Sequence, residues 1–111
     1  MVMTDISGEL GGMALTPAGN PYHLVGDAFV SATLTFTTQP GVEIRADGFF
    51  EIRIFGIVNI TGTHLHSNQP VPSKGDWKGI FFEHNDTATK FIGNAIEDAE
   101  FAVWGYRDRW W

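Results

Sequence analysis

No cysteine occurs among the 111 residues. That excludes disulfides, thiolate metal ligands and a cysteine nucleophile. Serine is found only at positions 7, 31, 67 and 73, and none sits in a nucleophile-elbow pattern. A serine hydrolase triad and a glycine-rich phosphate loop are both missing. Basic residues are few and scattered: Lys+Arg total 7 against 13 Asp+Glu, for a net charge of −6. Such a surface repels a phosphate backbone, so nucleic acid is not an expected partner. No apolar run approaches the ~20 residues of a membrane-spanning helix. Met1 to Asp5 carry an acid and no base, unlike the basic, apolar, small-residue order of a secretory leader. The expectation is a chain that stays inside the cell or one whose leader is missing.

What the chain has is β-forming material. Apolar residues make up 43% of it and charged residues 18%, which suits one packed domain spanning residues 1–111. Val, Ile, Phe and Thr dominate, and Gly and Pro recur too often for long helices. Strand patterns cover Tyr22 to Val25, Ala28 to Phe36, Val42 to Arg45, Phe49 to Phe55 and Ile57 to Thr61. In the fourth, Phe50, Ile52 and Ile54 share one face, and Glu51 and Arg53 share the other with Phe49 and Phe55. Alternation of this kind marks a strand with one buried and one wet face. Residues 62–76 are polar and hold two prolines and two glycines, so they read as a projecting loop. Order returns at Trp77 to Glu83. Ile96 to Val103 reads either as a short helix or as a turn and a strand, and Gly11 to Ala14 as one helical turn.

Spacing narrows the fold. A step of 22 links Phe36, Val58, Ile80 and Ala102, and links Thr38, Ile60, Phe82 and Trp104. A winding of that length holds three short strands and three turns, and successive windings stack at ~4.8 Å. The expected fold is all-β, a short right-handed parallel β-helix of about three to four coils. Residues 1–19 are expected as an N-terminal cap, 20–103 as coils and 104–111 as a tail, within which Trp110 and Trp111 pack back, meet a partner or mark a cut chain. An antiparallel sandwich is the alternative, though no Asn-Gly hairpin turn supports it.

Several blocks carry a resemblance. They are Asn20 to Asp27, Ala32 to Phe36 running into Gln39 to Ile44, Gly56 to Thr63, Lys74 to Glu83 and Ile96 to Ala99. In order and spacing they resemble the right-handed parallel β-helix (pectate-lyase-like) repeat domains of bacterial and archaeal surface proteins. One departure stands out: His64 to Pro72 shows no alternating strand where the family usually has one. The resemblance implies a cell-surface or extracellular location and a chain of a few coils from a longer protein. Such domains include polysaccharide-cleaving enzymes and non-catalytic repeats alike, so fold alone does not choose.

Candidate chemistry is sparse. Asp76, Glu83, Asp86, Glu97 and Asp98 are the nearest set of acids, and Glu83 with Glu97 or Asp98 is the pair to test for glycoside cleavage. Their simpler reading is a solvated acidic surface. His64 and His66 would share one face of a strand and share a metal if His84 or Asp86 converged on them, but nothing in the spacing demands it. The reading therefore takes no catalytic residue, no metal and no cofactor. Asn94 is expected to bond backbone inside a turn. Trp77, Phe81 and Trp104 offer rings for stacking on sugars, and the ligand set taken forward is Trp77, Phe81 and Glu83. The expected function is a non-catalytic structural or adhesive module that contacts carbohydrate or protein. The alternatives are a polysaccharide lyase or hydrolase, complete or truncated, and a unit that self-associates through exposed coil ends.

Overall fold

The computed structural model describes residues 4–83 and 88–105. Its twelve strands are β1 (Thr4–Glu9), β2 (Ala14–Leu15), β3 (Tyr22–Val30), β4 (Thr35–Thr38), β5 (Glu43–Ala46), β6 (Glu51–Ile54), β7 (Ile57–Thr61), β8 (His64–Ser67), β9 (Gly79–Phe82), β10 (Lys90–Ile92), β11 (Ala95–Ile96) and β12 (Val103–Gly105). Every ladder between them is parallel. The fold is all-β, and its two parallel sheets form the coils of a β-solenoid. Parallel pairing between strands of successive windings removes the antiparallel sandwich.

The larger sheet curls because β3 serves two neighbours on one edge. Tyr22–Leu24 pair with β5, and Ala28–Val30 pair with β6. Between them Val25, Gly26 and Asp27 turn the corner. On the other edge of β3, the register of β1 slips between Ile6 and Gly8 to follow the same bend. The sheet therefore has two flanks. Flank A stacks the first halves of β1 and β3 with β5, β8 and β11, and flank B stacks the second halves with β6, β9 and β12. The smaller sheet, β2-β4-β7-β10, forms flank C.

Inward columns make the core. Tyr22, Ile44, Leu65 and Ile96 stack on flank A, and Ala28, Ile52, Ile80 and Val103 stack on flank B. Phe36 rests on Val58 and Thr38 on Ile60 on flank C. Leu24, Ile52, Ile54, Leu65 and Ile80 are fully buried. Each such side chain contributes about 1.5–3 kcal/mol relative to exposure.

Polar side chains replace backbone bonds where the windings change direction. Asn94 accepts from Thr63 N through Oδ1 and donates to Ile60 O through Nδ2, both at 2.9 Å. Asn20 does the same between Glu43 N and Gly41 O at 2.8 Å. The turn role expected for Asn94 is thus observed, and its cause is the corner's unpaired peptide groups.

Four local expectations are corrected. The stretch from His64 is not loop: His64–Ser67 is strand β8, with Leu65 fully buried, and the excursion begins at Asn68. Ala28 to Phe36 is not one strand: β3 ends at Val30 and β4 begins at Thr35. Gly26 and Asp27 lie inside β3, a strand of nine residues, rather than ending one. The one helical turn among the described residues falls at Pro17–Gly19 instead of Gly11 to Ala14, while Ile96 to Val103 takes the turn-and-strand form. The fixed step of 22 holds from β4 to β7 and then fails. Ile80 stacks on Ile52, and Phe91 takes the place beside Ile60, because residues 68–76 lengthen the fourth winding.

Candidate functional site

Outward columns carry the chemistry. On flank B, Phe29, Arg53, Phe81 and Trp104 occupy successive windings in register. They face outward because their neighbours Ile52, Ile54, Ile80 and Phe82 face the core. The Arg53 guanidinium lies 4.4 Å from the centre of the Phe81 ring, a cation–π contact. Phe81 meets Trp104 edge-on at 4.3 Å, and Phe101 lies 5.4 Å from Trp104. Arg53 Nε donates to Glu51 at 2.8 Å, and its Nη1 donates to Glu83. The hydrogen bond to Glu51 raises the Arg53 pKa; burial opposes this, and Glu83 adds to it. Phe29 is 39% exposed. Trp104 Nε1 is buried and has no hydrogen-bond acceptor among the described residues.

On flank A, Glu43, His64 and His66 converge. The alternation of β8 turns both imidazoles outward, and the register sets Glu43 of β5 opposite His64. The two rings stack at 4.0 Å, with 14° between their planes. His66 Nε2 lies 2.6 Å from Glu43 Oε2, and His64 Nε2 lies 2.6 Å from Glu97 Oε1. Arg45 Nε donates to Glu43 Oε2 at 2.9 Å. Burial pushes the Glu43 carboxyl upward, but the hydrogen bonds and charges of Arg45 and His66 outweigh it and hold it below its ordinary value. One donor atom each from Glu43, His64 and His66 lies within 4.8 Å of the other two.

The residues singled out from sequence divide sharply. Phe81 and Glu83 meet around Arg53 on flank B. Trp77 does not join them. It is 1% exposed, and its Nε1 donates to Glu97 O at 2.8 Å, so its ring belongs to the core. A large apolar ring gains more from burial there than from water, and the indole N–H finds its acceptor inside. Glu83 does not meet Glu97 or Asp98, the pairing to test for glycoside cleavage. Glu83 joins Arg53 on flank B, whereas Glu97 joins His64 on flank A. Asp98 accepts from Ser67 N at 3.1 Å and Asp76 from Ser73 N at 2.9 Å, so both brace backbone. His84 and Asp86, named as further metal ligands, lie outside the described residues, as do Trp110 and Trp111.

Sequence reasoning passed over Glu43 and Arg53 as site residues. Their outward phase was visible, but their partners were not. Glu43 meets His64 after 21 residues, and Arg53 meets Phe81 after 28. No single step finds both. Among the described residues, no helix is long and apolar enough to cross a membrane. Comparison with protein-family models, curated proteins and solved structures gives no match, so the chemistry of flanks A and B has to be read from their own geometry.

Proposed function

We propose that this chain is a non-catalytic contact module of the right-handed, pectate-lyase-like β-helix kind, and that flank B binds neutral carbohydrate. The observation that carries the reading is the outward column Phe29, Arg53, Phe81 and Trp104, one residue per winding. Phe29, Phe81 and Trp104 give the column apolar ring surface, interrupted by Arg53, against which the apolar faces of sugars would rest. Glu51, Glu83 and Arg53 flank the rings with acceptors and donors suited to hydroxyl groups. A net charge of −6 favours a neutral glycan over an acidic one, and two carboxylates already neutralise Arg53. The enzyme reading has less support. Asp76, Glu83, Glu97 and Asp98 are each engaged by a partner, and Glu83 on flank B is apart from Glu97 and Asp98 beside β8.

The test is gel electrophoresis of the 111-residue chain through a panel of neutral and acidic polysaccharides, with a reducing-end assay alongside. A neutral polysaccharide is expected to retard wild type. Phe81→Ala is expected to weaken retardation roughly 5–10-fold, the equivalent of about 1–1.5 kcal/mol. Equal retardation of the variant, or none of wild type in any neutral glycan, ends the reading. Release of new reducing ends replaces it with the enzyme.

A further inference from the structure

Flank A carries a second arrangement that the carbohydrate reading leaves unused. We propose that Glu43, His64 and His66 form a binding site for a divalent transition cation of the zinc class. Three observations support the assignment. The donor atoms come from two adjacent strands held in a continuous ladder, so the backbone beneath them is fixed. They already lie within 4.8 Å of one another. The imidazoles lean together to 4.0 Å, although residues two apart on a strand start roughly 6.6 Å apart.

The fit to a tetrahedral ion requires one of the two stacked rings to turn, because ring-nitrogen lone pairs lie in the ring planes and nearly parallel planes do not converge on one ion. Metal–nitrogen distances near 2.0–2.1 Å and metal–oxygen distances near 2.0–2.2 Å place donor atoms roughly 3.3 Å apart. The widest separation of 4.8 Å therefore closes by about 1.5 Å, while the 2.6 Å contact of His66 with Glu43 opens by under about 1 Å. His64 is 44% exposed at its side chain, and its turning away from Glu97 would supply most of the change. Each ligating ring nitrogen offers its lone pair, and the ring's proton resides on the other nitrogen. Arg45 steadies the Glu43 carboxylate from the side. Glu97, 2.6 Å from His64 Nε2 and 60% exposed at its side chain, stands next to the three donors.

Two imidazoles and one carboxylate favour zinc, copper(II), nickel or cobalt. Calcium and magnesium prefer all-oxygen shells, and copper(I) prefers sulfur. The ion would clamp β5 to β8, adding a coordinate link to the backbone ladder, the core and the His66–Glu43 contact that join the two windings now. This assignment is independent of flank B and survives if no sugar binds there.

Isothermal titration of the full chain with zinc chloride tests it, together with the visible spectrum of the cobalt(II)-loaded chain. We expect one ion per chain and a tetrahedral cobalt spectrum. His64→Gln, His66→Gln and Glu43→Gln are each expected to weaken binding at least tenfold. His23→Gln, two windings away in the column that ends at His66, is expected to leave it unchanged. Far-UV circular dichroism in chelator establishes that each variant folds. A chain that takes up no zinc overturns the site. So does zinc binding that His64→Gln and His66→Gln leave at wild-type strength.

Discussion

Individual side chains here act mainly as braces between windings. Glu9, at the end of β1, is such a brace. Its carboxylate accepts from Ser31 Oγ, from Ser31 N at 3.0 Å and from Gly11 N at 2.9 Å. The Ser31 hydroxyl bond, above all, lowers the Glu9 pKa, with the Ser31 backbone bond next, against a smaller opposing effect of burial. A depressed carboxyl adds stability that is full above its unfolded value near ~4.3 and fades as pH falls through the folded value. Urea midpoints measured from pH 6 to pH 2.5 are therefore expected to fall less steeply in Glu9→Gln than in wild type. Gly79 is a backbone position of the opposite kind. Its φ is +108°, and an added Cβ would lie 1.7 Å from Phe101 O. Gly79→Ala is expected to lose about 2–4 kcal/mol in urea denaturation. A loss below about 1 kcal/mol would mean that β9 and residue 101 are not in the contact described. Neither role was legible in the sequence, because both depend on which winding lies alongside.

Strands and corners show how neighbouring windings are matched. The alternation in β5 to β7 was readable residue by residue, and the burial of Ile44, Ile52, Ile54, Val58 and Ile60 follows it. His64–Ser67 escaped because its one fully buried aliphatic residue, Leu65, is surrounded by polar residues. Its inward Ser67 satisfies itself by accepting from Gln69 N at 2.9 Å. A second buried polar pair joins flank C to the corner before β8. Thr38 Oγ1 and Thr63 Oγ1 lie 2.6 Å apart, and Thr63 donates onward to Thr61 O at 3.1 Å. Thr63→Val strands the Thr38 hydroxyl and is expected to cost about 1–3 kcal/mol. Thr38→Val with Thr63→Val is expected to recover part of that loss. A double variant as unstable as the sum of the singles would show that the two hydroxyls are not coupled.

For the whole molecule, stability is a sum of stacking terms between adjacent windings. The central winding, β5 to β7, has a neighbour above and below on every flank. Strand β11 pairs with β8 on one side only among the described residues. Hydrogen exchange is therefore expected to be slowest at Ile52, Ile54, Val58 and Ile60 and much faster at Ala95 and Ile96. Uniform protection along the chain would contradict nearest-neighbour stacking. The same architecture separates the two candidate sites. Flank B collects rings and Arg53, and flank A collects imidazoles and Glu43. Loss of one by substitution is expected to leave the other intact.

The sequence by itself determined that this protein is all-β, which residues of Glu43 to Thr61 face inward, and that parallel coils suit its spacing. Those properties are local, since alternation and β-branching act within a few residues of chain. Only the tertiary structure decided that Trp77 is core, that Ile80 rests on Ile52, and that Glu43 meets His64 while Arg53 meets Phe81. Those pairings depend on the length of every intervening turn. The excursion at 68–76 changes that length without changing any strand's own pattern.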